Sequence, residues 1–161
     1  MIELKTSVLV AAAMKMGALL GGASLEDADM LYGFGKNLGI AFQLQDDLLD
    51  TYGDPKKFGK KIGGDIVQNK KTYLYLKALQ LSRPEQKAVL LRAFGPKTEN
   101  EQEKIRVVRQ VFDALDIKGH TEAAKEKYRK KAFAFLGNVS VECSRKEEME
   151  RFARALMLRE A

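Results

Sequence analysis

The chain has 161 residues, 45% hydrophobic and 31% charged, with a net charge of +6, three prolines and no tryptophan. That length supports one globular domain with a substantial core, and the lone cysteine (Cys143) and lone histidine (His120) exclude an internal disulfide and a zinc cage. Ala, Leu, Lys and Glu are abundant and β-branched runs are short, which favours an all-α fold.

The first helix is expected from Met1 to about Leu20. It is rich in small residues (Ala11, Ala12, Ala13, Gly17, Ala18), which allow close approach of a neighbour, and Gly21-Gly22 ends it. A second helix is expected from about Leu25 to Tyr52, with Ser24 as N-cap. Gly33, Gly35 and Gly39 are unfavourable inside a helix, so they point to tight packing or a kink. Gly53 to Gly64 reads as a glycine- and lysine-rich loop with a turn-forming Asp54-Pro55. Asp65 is then expected to cap a helix reaching about Leu81. Pro84 opens the next helix at its first turn, and Gly95-Pro96 ends it. Amphipathic helices follow at about Glu99 to Leu115, His120 to Leu136 and Arg145 to Leu158. No internal repeat or low-complexity segment interrupts this pattern, and the C-terminal third carries no convergent polar cluster.

The apolar stretch Thr6 to Ala13, followed by Gly21-Gly22-Ala23-Ser24, invites comparison with a signal peptide. Glu3 ahead of it and Lys15, which interrupts the apolar run just beyond Ala13, argue against one. No stretch reaches the roughly 20 apolar residues of a membrane span. A cytoplasmic protein is expected, consistent with the single cysteine. Most basic residues alternate with acids on helix faces, the pattern of a solvated surface rather than of a nucleic-acid interface. The exception is Lys56 to Lys71, with six lysines and one acid, Asp65.

The central constellation is Gln43-x-x-Asp46-Asp47-x-x-Asp50, near the C-terminal end of the second helix. At about 100° per residue, Asp46 and Asp50 fall within about 40° of each other, one turn apart. Gln43 lies one turn before Asp46 on nearly the same face. Three carboxylates this close repel one another, and the negative end of the helix dipole adds to the cost. A hard cation relieves it. All donors are oxygen, and Mg²⁺ characteristically bridges one or two carboxylates to substrate phosphates. Apolar neighbours (Ile40, Ala41, Phe42, Leu44, Leu48, Leu49) argue against a purely solvent-exposed acidic helix end. The loop that follows supplies Lys56, Lys57, Lys60 and Lys61, and the next helix supplies Lys70 and Lys71. Glycines let backbone N–H groups approach an anion, and lysines add charge. An acid cluster leading into a basic loop suits a diphosphate, gripped by metal on one side and ammonium groups on the other. The loop does not match a Walker pattern.

These residues resemble the trans-type prenyl diphosphate synthases, such as farnesyl and geranylgeranyl diphosphate synthases. Gly39-Ile40-Ala41-Phe42-Gln43-Leu44-Gln45-Asp46-Asp47-Leu48-Leu49-Asp50 looks like the family's second aspartate-rich motif. Gly59-Lys60-Lys61-Ile62-Gly63-Gly64-Asp65-Ile66, followed by Asn69-Lys70-Lys71-Thr72, looks like its downstream lysine motif. Glu3-Leu4-Lys5-Thr6 looks like its Lys-Thr motif. The resemblance implies an isoprenoid-synthase helical bundle filling residues 1–161 as part of one domain. It implies Mg²⁺ at Asp46, Asp47 and Asp50, and an allylic diphosphate held by Lys5, Thr6, Gln43, Lys60 or Lys61, and Lys70. Lys5, Lys60 and Lys70 are the catalytic candidates, since they would stabilise the leaving pyrophosphate.

The resemblance also implies isopentenyl diphosphate as second substrate, a homodimer, and a short-chain product, farnesyl diphosphate by default. In the family the first aspartate-rich motif lies upstream of the Lys-Thr motif, and this sequence has no other Asp-Asp-x-x-Asp. The chain is therefore expected to be the C-terminal half of the enzyme, inactive without the N-terminal half. Two other readings compete: a terpene cyclase-like enzyme, against which the Gly-Lys loop and Lys-Thr motif argue, and a non-catalytic helical subunit that keeps the motifs by descent.

Overall fold

In the computed structural model, which describes residues 6–54, 62–95 and 100–157, every regular element is helical. The helices are α1 (Val8–Leu20), α2 (Leu25–Tyr52), α3 (Gly64–Val67), α4 (Tyr73–Leu81), α5 (Pro84–Ala93), α6 (Glu101–Ala114), α7 (Ile117–Gly137) and α8 (Cys143–Met157). Among the described residues no helix is long and apolar enough to cross a membrane. The chain divides into two compact units. One holds residues 6–45 and 124–157, the other residues 46–123.

In the first unit, α1 ends where the sequence indicates. Gly22 takes a left-handed conformation (φ +82°), and the amide N–H groups of Gly21 and Ala23 turn back to the carbonyls of Gly17 and Ala18, each at 3.0 Å. Ser24 Oγ then accepts from the Asp27 N–H at 3.1 Å, capping α2. The helix-interior glycines of α2 are contact points, as tight packing requires. A Cβ on Gly39 would sit 2.8 Å from Ser7 Cα, and one on Gly35 would sit 2.8 Å from Met14 Sδ and 3.0 Å from Ala11 Cα. The residues run 7 to 11 on α1 while they run 39 to 35 on α2, so the two helices touch as an antiparallel pair. A Cβ on Gly33 would meet the Phe135 ring at 2.6 Å. Phe34, Leu38, Ala132, Leu136, Val139 and Ala153 form the buried cluster of this unit. Each large side chain there contributes roughly 1.5–3 kcal/mol by leaving water.

Two polar ties close this unit. Asp27 accepts the Ser140 N–H at 2.7 Å. Lys146 donates to the carbonyls of Gly137 and Val139 at 3.0 and 2.6 Å, satisfying the end of α7.

The second unit is built around Ile66, Leu74, Tyr75, Leu90, Val108 and Phe112. Here the structure corrects the sequence reading. The helix expected from Asp65 to Leu81 is two helices, α3 and α4, separated at residues 68–72. Asn69 adopts φ +56°, which stops α3, and Thr72 restarts the chain as an extended N-cap accepting from Tyr75 N–H at 3.4 Å. Asp65 lies inside α3 rather than capping it. Pro84 does occupy the first turn of α5, with Gln86 Oε1 accepting the Arg83 N–H at 3.0 Å. α6 starts at Glu101 because Asn100 Oδ1 accepts two amide N–H groups, from Gln102 and Glu103. α7 starts three residues before His120 because Asp116 Oδ1 caps it, accepting the Gly119 N–H at 3.2 Å. His120 and Cys143 are exposed.

The helix contacts yield two expected outcomes. Gly39→Val places atoms on the Ser7 backbone, so it should cost about 2 kcal/mol or more in urea unfolding. Gly17→Ala, where nothing lies within 4 Å, should gain about 0.5–1 kcal/mol. A neutral Gly39→Val would remove the close contact from the account. The Ser140 N–H holds the Asp27 carboxyl below its usual range. Its contribution is therefore present above the unfolded value of about 3.9 and lost as pH falls through the lower folded value. Asp27→Asn should flatten that part of the acid limb, read as melting temperature against pH.

Candidate functional site

The residues singled out by sequence gather in two groups, one in each unit. In the first unit, the α1–α2 contact brings Thr6 to α2, and its hydroxyl donates to Gln43 Oε1 at 3.1 Å. The link follows from the seam of small residues: Gly35, Gly39 and Gln43 succeed one another at one-turn spacing along α2, and Ala11, Ser7 and Thr6 meet them in reverse order. Two residues beyond Gln43, Gln45 is buried, and Lys125 on α7 donates to its Oε1 at 2.7 Å. Lys5 lies outside the described residues, as do Lys56, Lys57, Lys60 and Lys61.

In the second unit, the end of α2 carries Asp46, Asp47 and Asp50. Asp47 is only 4% exposed, while Asp46 and Asp50 are half-buried. Asp50 accepts the Asp65 N–H through Oδ2 at 2.9 Å. Its carbonyl also accepts the Gly63 N–H at 2.6 Å. A Cβ on Gly64 would stand 3.1 Å from Asp50 Oδ1. The start of α3 is thus fastened to the acidic end of α2, and a positive φ of 81° at Gly63 makes the approach possible.

Asp65 then turns its own carboxylate to Lys70, which donates to Oδ1 at 2.6 Å. The Lys70 amide also donates to the Asp65 carbonyl at 2.9 Å. The result is a connected path from Asp50 through Asp65 to Lys70. Charge follows the geometry. Burial, first, pushes the Asp50 carboxyl up, the Asp65 N–H opposes it, and the negative charge of Asp65 adds to the rise. The hydrogen bond to Asp65, first, raises the Lys70 ammonium, helped by the charges of Asp65, Asp50 and Asp47. The carboxylates form a negative field that Lys70 only partly offsets. Lys71 is exposed beside it.

Among the described residues, no group of three His, Cys, Asp or Glu side chains stands close enough together to hold a metal ion unaided. Asp50 is occupied with the Asp65 amide. The donor set is carboxylate oxygen throughout, which suits a hard cation completing its shell with water and phosphate oxygens rather than a closed protein cage.

Sequence reasoning gave Asp65 only a capping role and passed over Lys104 and Lys125. A signal for Lys104 was present. It falls one turn before Val108 and two before Val111 on the buried face of α6, where a lysine is out of place. Lys125 carried no such signal, since it sits in a run of charged residues.

A family model described as Polyprenyl synthetase matches residues 1–111. The geranylgeranyl diphosphate synthase of Sulfolobus acidocaldarius is 37% identical over 143 residues, which are 87% of this chain and 42% of that protein. A crystal structure of geranylgeranyl pyrophosphate synthase superposes with a TM-score of 0.87 at 39% identity, covering 99% of this chain and 50% of that one. The geranylgeranyl pyrophosphate synthase of Corynebacterium glutamicum, solved with isoprenyl diphosphate and magnesium, gives a TM-score of 0.84 at 30% identity, covering 98% of this chain and 44% of that one. The chain therefore spans about half the length of these proteins, and its all-helical fold is theirs.

The Asp65–Lys70 pair is open to direct measurement. Asp65→Asn removes the charge that raises Lys70, so the Lys70 ammonium should titrate at lower pH in an NMR titration of labelled lysine. An unchanged titration would show that the pair does not persist in solution.

Proposed function

Because this chain belongs to the polyprenyl synthetase family, we propose that it supplies one half of the active site of a prenyl diphosphate synthase, a transferase of isoprenoid biosynthesis. The observation that carries this reading is the Asp50–Asp65–Lys70 path, which sets an ammonium group against a cluster of carboxylates. An ammonium and a carboxylate-bound cation together suit a diphosphate, whose oxygens need positive charge from more than one direction.

In this reading Asp46, Asp47 and Asp50 hold Mg²⁺. When bound, that ion supplies charge to the phosphate oxygens as a Lewis acid. The chain's own residues do the rest. Lys70, with Lys5 and Lys60 or Lys61, binds the diphosphate and stabilises the negative charge that grows on it. Thr6 and Gln43 orient it by hydrogen bonds. The allylic C–O bond breaks and its electron pair leaves with pyrophosphate. The double bond of isopentenyl diphosphate then attacks the allylic carbocation, and a proton passes to pyrophosphate. No histidine or cysteine is required.

Since the chain spans about half of its relatives' length, the proposal extends to an upstream half that completes the site, without which the chain is inactive. It also extends to a homodimeric, cytoplasmic enzyme. The product belongs to the short-chain class. The names of the relatives favour geranylgeranyl over the farnesyl diphosphate expected from sequence, and product chain length decides between them.

Joined to its upstream half, the chain should condense an allylic diphosphate with isopentenyl diphosphate only when magnesium is present. Asp46→Ala should cut kcat at least about a hundredfold, on the order expected for losing a principal electrostatic contributor. A change within about threefold would remove the aspartates from the metal site. A cyclised hydrocarbon in place of a longer diphosphate would favour the cyclase.

A further inference from the structure

Lys104 is the most unexpected charge in the second unit. It is 5% exposed, and lysines are almost never buried without a partner of opposite charge. Its hydrogen-bond acceptors are nonetheless neutral, although the charge of Glu101, one turn back on α6, also favours the ammonium. Nζ donates to the Val67 carbonyl at 3.2 Å and to Asn69 Oδ1 at 2.5 Å. It also stands 5.4 Å from the centroid of the Phe94 ring, which is itself stacked on Tyr75 at 3.9 Å. A cation–π contact of this kind favours the charged amine, while burial lowers its pKa.

The acceptors matter because of where they lie. Val67 is the last residue of α3, and Asn69 is the left-handed residue (φ +56°) that ends it. The next residue is Lys70. Left-handed backbone in a non-glycine residue costs about 1 kcal/mol, and asparagine tolerates it best. Lys104 reaches across from α6 to hold the carbonyl two residues before Asn69 and the side chain of Asn69 itself. Asp65 fixes the same turn from the α3 side, through the Lys70 amide and ammonium. The turn that carries Lys70 is thus held from both directions.

We propose that Lys104 is a positioning residue for diphosphate binding: by fixing the Val67–Asn69 turn it sets the place and direction of the Lys70 ammonium, without itself touching the ligand. This rests on the reading of Lys70 as a diphosphate ligand. A lysine that merely filled the core would be replaceable by an apolar side chain of the same shape, often with no loss of stability.

The test is calorimetric titration of the chain with pyrophosphate in the presence of magnesium, on Lys70→Ala, Lys104→Met, Asn69→Gly and Lys70→Ala/Lys104→Met. Methionine keeps the unbranched stem and removes the amine, and glycine keeps the left-handed turn and removes the amide oxygen. Lys104→Met and Asn69→Gly should each weaken pyrophosphate binding about fivefold to tenfold, the scale of a displaced charged contact. Lys104→Arg should restore part of the affinity. In the double variant the effect of Lys104→Met should vanish, because the ammonium it positions is gone. If Lys70→Ala weakens binding while Lys104→Met and Asn69→Gly leave it unchanged, the positioning role is wrong. Equal effects of Lys104→Met with and without Lys70 would overturn it as well. If Lys70→Ala itself changes nothing, the diphosphate reading of Lys70 fails first. Should Lys104→Met unfold, Asn69→Gly carries the same comparison alone.

Discussion

The close approach of α1 to α2 is the constraint on which the first group of site residues depends. Gly35 and Gly39 leave no side chain where α1 crosses, and Ser7 and Ala11 bring little of their own. Helix backbones in such contact have almost no freedom to slide, since protein interiors are packed to crystal density. That is why a weak local preference, glycine inside a helix, is retained at a cost in propensity. The reward is register: with Gly39 against Ser7, the Thr6 hydroxyl falls on Gln43. A one-turn slip would carry it about 5.4 Å along the helix, beyond hydrogen-bond reach.

The second unit solves a different problem, which is electrostatic. Carboxylates at the C-terminal end of α2 oppose both one another and the helix dipole. The protein answers with backbone N–H from α3 and an ammonium from the turn that follows it. Both come from a segment only about a dozen to two dozen residues downstream, so the negative cluster and its local compensation form a nearly contiguous piece of chain. Among the described residues compensation is incomplete, and burial still raises the Asp50 carboxyl. A site that neutralised its own charge would have little use for a cation or a diphosphate.

Much of this was legible in the sequence, for identifiable reasons. The α2 boundaries, Leu25 and Tyr52, follow from Ser24 and from the loop beginning at Gly53. The Pro84 start of α5 follows from the fixed φ of proline. The aspartates stood out because their repulsion needs explaining wherever it occurs. What escaped were features set by long-range contacts. The break at residues 68–72 rests on Asn69, which takes left-handed backbone more readily than most residues and whose side chain accepts from Lys104, 35 positions later. Asp116 is an N-cap residue by type, so the start of α7 was open to sequence reasoning that placed it at His120 instead. Asp65 was read as a cap because it opens a helix, whereas its role comes from Asp50, 15 residues earlier.

The central claim is that the end of α2 and the turn at Lys70 bind one metal–diphosphate unit. Paramagnetic broadening by manganese, used as a magnesium substitute with pyrophosphate and the ¹⁵N-labelled chain, tests this most directly. Amide signals centred on residues 46–50 and on 64–71 should be lost, at lower manganese concentration when pyrophosphate is present. Broadening spread evenly over the acidic surface, or indifferent to pyrophosphate, would contradict it.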